Sequence, residues 1–181
     1  DPKAIQVLAQ LACRYQFDYP NTPKLPLQGI RGSSAGYAAG LWGLTGAQYC
    51  HVADLWPLNP KGEIIFGVKI EDTYADKNVD ATLATPGITF AEWGPGDHSY
   101  WLYGLSAMDN PGTTPSSQRP EMQAVRQKVL DLCKKNNLKF LNAAGQGDAV
   151  LQQIRDGAMM LESSEASAII GREYTKRKMP V

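Results

Sequence analysis

The 181 residues include only two histidines, His51 and His98, and three cysteines, Cys13, Cys50 and Cys133, set far apart. Two imidazoles cannot build a multi-histidine metal centre, and no C-x-x-C pair or Cys/His spacing marks a zinc site. A metal would therefore have to sit on carboxylates. So few cysteines exclude a disulfide scaffold and fit free thiols in a reducing cytosol, so a cytoplasmic location is expected. Charge of one sign is missing too. The 18 basic and 18 acidic side chains cancel, which removes the electrostatic ground for a nucleic-acid partner. No apolar run approaches the roughly 18 residues of a membrane-spanning helix, so no membrane partner is expected. The chain opens on Asp1 without a methionine, already in a helical pattern, which leaves a signal peptide unjudged.

What is present is an ordinary globular composition, 43% apolar and 20% charged, and the length predicts a single domain over residues 1–181. Ala4, Leu8, Leu11 and Ala12 recur at helical spacing within residues 3–14, ahead of the stretch from Pro20 to Pro26. Residues 28–47 lack clean periodicity and read as a short strand near Gly29 followed by a flexible segment. The apolar run Ile64–Ile70 predicts a strand buried on both faces, followed by a helix carrying Val79 and Leu83. Ile88–Trp93 reads as a strand halted by Gly94-Pro95-Gly96, with a long loop over 99–120. Pro120-Glu121 opens the clearest helix, with Val125, Val129, Leu132 and Cys133 on one face and Asn136-Asn137 closing it. Leu138–Ala143 is a strand. Asp148 is an N-cap, Val150, Leu151 and Ile154 form an apolar face, Gly157 ends that helix, and Ala158–Leu161 is a strand. This alternation predicts an α/β fold with a parallel sheet wrapped by helices. A closed eightfold barrel takes about 250 residues, so the chain is either a smaller doubly wound domain or the C-terminal two thirds of a (β/α)8 TIM barrel.

Glu71 directly follows the first strand and Asp97 the second. Parallel strands end on one face, so carboxylates after successive strands converge there, and such a pair suits a hard divalent cation with positions open to substrate oxygens. The bland alternative, a helix N-cap, falls to Asp72. Glycines around Asp97 leave backbone N–H groups free for a carboxylate. His98 is either a proton relay beside Asp97 or a solvated loop residue. Trp93 either walls a pocket or packs elsewhere. Tyr100, Trp101 and Tyr103 suit a lid or a subunit contact. Tyr37, Trp42 and Tyr49 read as interface or packing residues, and the basic tail of Arg172, Lys176, Arg177 and Lys178 as a solvated helix end.

Val68-Lys69-Ile70-Glu71, Pro86-Gly87-Ile88 and Gly94-Pro95-Gly96-Asp97-His98-Ser99 resemble the metal-dependent hydroxyketoacid aldolases of the HpcH/HpaI type. Gly29-Ile30-Arg31-Gly32, Pro120-Glu121-Met122-Gln123-Ala124-Val125 and the segment from Asp148 to Ile170 extend the resemblance over most of the chain from about residue 28. It implies a (β/α)8 barrel in which Glu71 and Asp97 bind Mg2+ or Mn2+, with Co2+ and Zn2+ as further candidates. The Gly96 and Asp97 amides would hold the carboxylate of pyruvate or oxaloacetate. The implied reaction is cleavage or formation of a 4-hydroxy-2-oxo acid through a metal-bound pyruvate enolate, with an aldehyde as second partner. Oxaloacetate decarboxylation or another enolate-trapping reaction is the alternative within enzymes. A non-catalytic binding or assembly subunit is the alternative outside them. A homo-oligomer is expected.

Departures from the family pattern bear on specificity. Lys69 stands where the family has glutamine, and Glu92 where an aromatic residue is common. Lys69 shares a strand face with Glu71 and is expected to point into the barrel. There it either neutralises Glu71, Glu92 and Asp97 or acts as a catalytic Schiff-base lysine. Two abutting carboxylates raise an amine's pKa, which counts against the imine. The resemblance assigns the family's histidine base, an arginine and a further aspartate to strands upstream of this chain. A preceding segment or a second chain would supply them, or the protein is inactive.

Overall fold

The computed structural model describes residues 1–15, 27–104, 115–143 and 145–177. Its elements, in chain order, are α1 (Pro2–Leu8), α2 (Gly36–Leu41), α3 (Gly46–Val52), β1 (Gly67–Ile70), α4 (Thr73–Leu83), β2 (Phe90–Trp93) and α5 (Pro95–Tyr103). They continue with α6 (Pro120–Lys135), β3 (Lys139–Ala143), α7 (Asp148–Asp156), β4 (Met160–Glu162) and α8 (Glu165–Thr175). The strands form one sheet in the order β1-β2-β3-β4. β2 pairs in parallel with β3 (Phe90 with Lys139), and β3 with β4 (Leu141 with Met160). Among the described residues no helix is long and apolar enough to cross a membrane.

Two compact units divide the chain. The first comprises Asp1–Val68 and Lys77–Thr89. Its apolar clusters join Tyr15, Ala39, Tyr49 and Cys50, and, separately, Ala9, Leu27 and Leu55. The Arg31 guanidinium lies 4.6 Å from the Tyr15 ring and donates to the Ala53 carbonyl, so the arginine of Gly29-Ile30-Arg31-Gly32 binds this unit together. No strand forms near Gly29 among the described residues. A single parallel bridge links Tyr15 to Arg31, and a Cβ on Gly29 would meet the Tyr15 carbonyl at 2.1 Å. The segment 28–47 is not flexible throughout, as expected from its lack of period, because it contains α2 and the start of α3. Thr45 and Gln48 close a reciprocal capping box at the start of α3.

The second unit comprises Lys69–Asp76 and the chain from Phe90 onward. Here α6 buries Met122, Val129 and Cys133, and β3 buries Phe140. Burial pushes the Cys133 thiol up to about 11. Arg126 donates to Gln153 and Asp156, and Asn142 donates to the same Gln153 oxygen, so the polar side chains joining α6, β3 and α7 are satisfied together. Gly157 ends α7 at φ 112°, a left-handed conformation that favours glycine. Asp148 is the first helical residue of α7, with Gly147 at the cap position predicted for Asp148.

Two further readings change at the sheet. β1 is not buried on both faces, because Lys69 is exposed between buried Val68 and Ile70. Gly94-Pro95-Gly96 ends β2 but also opens α5, with Pro95 in the first turn. Ser99–Tyr103, the first part of the segment predicted as a loop, is therefore helical, and residues 105–114 lie outside the described residues. Lys178 of the basic tail also lies outside them.

Candidate functional site

Glu71 is the residue immediately after β1. The Gly94 N–H donates to the Ile70 carbonyl at 3.2 Å, so the C-terminal ends of β1 and β2 are bonded side by side. Glu71 packs on the bare backbone of Gly94, where a Cβ would lie 2.3 Å from Glu71 Oε2. Only glycine admits the carboxylate here. That oxygen is buried and has no hydrogen-bond partner among the described residues.

Lys69 fills part of the surroundings. Its ammonium lies 3.3 Å from Glu71 Oε2 and 3.5 Å from Glu92 Oε1, while half of its side chain stays exposed. Contact with Glu71 raises the lysine pKa above its ordinary 10.5, against the opposite effect of burial, and Glu92 adds to the rise. The two-residue period thus puts Lys69 and Glu71 on one face, as the sequence implies, and Glu92 of the next strand joins them. A protonated amine between two carboxylates is an electrostatic partner and a poor nucleophile.

Asp97 stands in the first turn of α5 and is exposed, as is Gly96. Gly94 caps this helix without a side-chain bond, Pro95 has no N–H, and the His98 N–H bonds back to the Gly94 carbonyl. The Gly96 and Asp97 amides are thus the first-turn donors that the helix leaves unused, and a Cβ on Gly96 would meet nothing within 4 Å. Backbone donors at a helix start, with space in front of them, suit a carboxylate.

Two predicted site residues lie elsewhere. His98 is not a solvated loop residue but a fully buried helical one, its Nε2 2.8 Å from Asp76 Oδ2 in α4. Trp93 alternates with Glu92 along β2, so the pleat turns its ring to the opposite face from the carboxylates, where it is 3% exposed. It does not wall the space around Glu71. Sequence reasoning missed Asp76, whose only signal is an acidic residue in the first turn of the helix after Glu71. A separate apolar pocket of about 730 Å³, lined in part by Lys134, Ile154, Met159, Leu161 and Arg172, contains none of these residues.

Among the described residues no three His, Cys, Asp or Glu side chains gather as a metal centre. The arrangement still fits a hard cation of the kind that keeps most of its waters and takes only one or two protein carboxylates. The buried Glu71 oxygen in its glycine cradle supports the fit, since the Lys69 ammonium 3.3 Å away already makes it an oxygen that faces a cation.

No family model matches the sequence, and no curated protein matches it. Solved structures do match. An HpcH/HpaI aldolase/citrate lyase family protein from Burkholderia cenocepacia aligns with 97% of this chain and 59% of its own, at 20% identity and a TM-score of 0.59. An HpcH/HpaI aldolase from Desulfitobacterium hafniense aligns with 97% of this chain and 66% of its own, at 20% identity and a TM-score of 0.55. The citrate synthase SbnG aligns over 97% and 57%, at 14% identity and a TM-score of 0.57. The chain therefore spans about three fifths of the length of these structures and shares the fold of that part of them. This bears out the expected α/β class, a parallel sheet with helices as in a portion of a (β/α)8 barrel.

Proposed function

From the fold shared with HpcH/HpaI aldolase/citrate lyase family proteins, we propose that this chain carries the cation-binding part of a divalent-metal-dependent carbon–carbon lyase acting on 2-oxo acids. One observation carries the reading: a buried carboxylate oxygen at the end of β1, seated on Gly94 with the Lys69 ammonium 3.3 Å away, beside a helix whose first-turn amides are unused. Glu71 and Asp97 would hold Mg2+ or Mn2+. Such an ion supplies a Lewis acid for the keto oxygen of pyruvate or oxaloacetate.

The chain's own groups do the rest of the binding. The Gly96 and Asp97 N–H groups hold the substrate carboxylate and fix its orientation. Lys69 keeps its proton and offsets the charge of Glu71 and Glu92, so that a doubly acidic strand end can accept an anionic substrate. Neither Lys69 nor His98 has the setting of a base: the first is protonated, the second is buried against Asp76. The proton acceptor, an aldehyde partner and assembly into an oligomer would complete the activity, for which the residues named here supply the cation- and carboxylate-binding part.

Mn2+ titration followed by electron paramagnetic resonance tests the ligand assignment. Glu71→Gln and Asp97→Asn should each abolish saturable binding. Folding stability should change by about 1 kcal/mol or less, because both side chains reach solvent. Wild-type affinity in either variant would refute the assignment.

A further inference from the structure

His98 is fully buried, although it neighbours an exposed aspartate, and among the described residues its side chain's hydrogen-bond partner is on another helix. Its Nε2 lies 2.8 Å from Asp76 Oδ2, while its Nδ1 is buried with no hydrogen-bond partner among the described residues. The Asp76 carboxylate accepts, so the arrangement suits the tautomer whose Nε2–H donates to it and whose Nδ1 is an acceptor. Asp76 belongs to the first turn of α4. That turn is fixed to Glu71's neighbour, because the Asp72 carboxylate accepts from the Ala75 N–H at 2.7 Å and the Asp72 carbonyl accepts from the Asp76 N–H at 3.0 Å.

These bonds close a ring. It runs from Ile70 through Glu71 and Asp72 into α4, crosses from Asp76 to His98, returns through the first turn of α5 to Gly94, and closes at the bond from the Gly94 N–H to the Ile70 carbonyl. Glu71 and Asp97 are both on this ring, one on each arm. One turn further along α5, the Trp101 ring meets Tyr74 of α4 edge to face, with centroids 6.3 Å apart. Without the Asp76–His98 bond, the first turns of the two arms would lose their hydrogen-bonded crossing and keep the strand-end bond and the Tyr74–Trp101 contact.

We propose that His98 and Asp76 are positioning residues, whose hydrogen bond locks the first turns of α4 and α5 together and so sets the distance between Glu71 and Asp97. Their consequence for cation affinity rests on the ligand assignment above. Their effect on the two turns does not. His98 is fully buried and acts through Asp76 and the two turns, and groups that orient the ligands of a metal commonly change affinity by about 10- to 100-fold.

The experiment combines amide hydrogen exchange by NMR on metal-free protein with Mn2+ titration. It compares wild type, His98→Leu, His98→Gln and Glu71→Gln. Leucine keeps the volume without the donor, whereas glutamine keeps a donor near the Nε2 position. The leucine variant should speed exchange about tenfold at the amides of Gly94 and residue 98, leave Leu141 of β3 unchanged, and weaken Mn2+ about 10- to 100-fold. Glutamine should restore both readouts to within about threefold of wild type. If the leucine variant does not fold, Asp76→Ala carries the same expectation, since that side chain is 23% exposed and its loss leaves His98 packed. Exchange unchanged in the leucine variant, or equal losses in the leucine and glutamine variants, would overturn the proposal. Equal Mn2+ binding by wild type and Glu71→Gln would overturn the ligand assignment instead, and the exchange data would still decide the positioning role.

Discussion

Lys69 separates two chemistries at the scale of one side chain. An amine that attacks a keto acid must be free of its proton, and Lys69 is held the other way by Glu71 and Glu92. Its folded-state pKa lies above the unfolded one. The pairing is therefore fully present below about 10.5, the unfolded value, and is lost only as pH rises through the higher folded value. With half of the side chain exposed, it contributes on the order of 1 kcal/mol or less. Borohydride added with pyruvate at neutral pH should leave the mass of the protein unchanged. A pyruvyl adduct on Lys69 would refute this account of the residue. The face shared by Lys69 and Glu71 was legible from the period of a strand. The burial of His98 was not, because its partner Asp76 is 22 positions away and no local pattern links the two.

At the scale of elements, strongly periodic segments were readable, and those set by local capping were less so. α6 was found from its apolar stripe and its opening proline, and the strands from short apolar runs. α2 and α3 escaped because their glycines and alanines carry little amphipathic signal, yet Thr45 and Gln48 have the spacing of a capping box. Pro95 misled in the opposite direction. A Gly-Pro-Gly triplet signals a stop, but proline is also well suited to the first turn of a helix, and here it serves both strand and helix. Thr45→Ala removes the hydroxyl that accepts from the Gln48 N–H, so it should lower stability by about 1 kcal/mol, measured by urea unfolding. A change indistinguishable from zero would mean that α3 is held by packing alone.

For the molecule as a whole, the fold and the chemistry were legible to different depths. Alternating helices and strands imply the parallel sheet, and the spacing of Glu71 and Asp97 across two successive strand ends marks a shared edge. The side-by-side bond of Gly94 to Ile70 agrees with that reading. Sequence could not reveal that Glu71 depends on the absence of a side chain at Gly94, since the close approach exists only once β1 and β2 are paired. Nor do local patterns report which groups complete the reaction. If this fold presents a 2-oxo acid to a divalent cation at Glu71 and Asp97, Mn2+ held there must broaden the methyl resonance of pyruvate more than the same Mn2+ does without protein, an effect that NMR reads and that needs no proton acceptor. The expected result is enhanced broadening with wild type that is lost in Glu71→Gln. Enhancement that survives Glu71→Gln, or none with wild type, would refute the assignment.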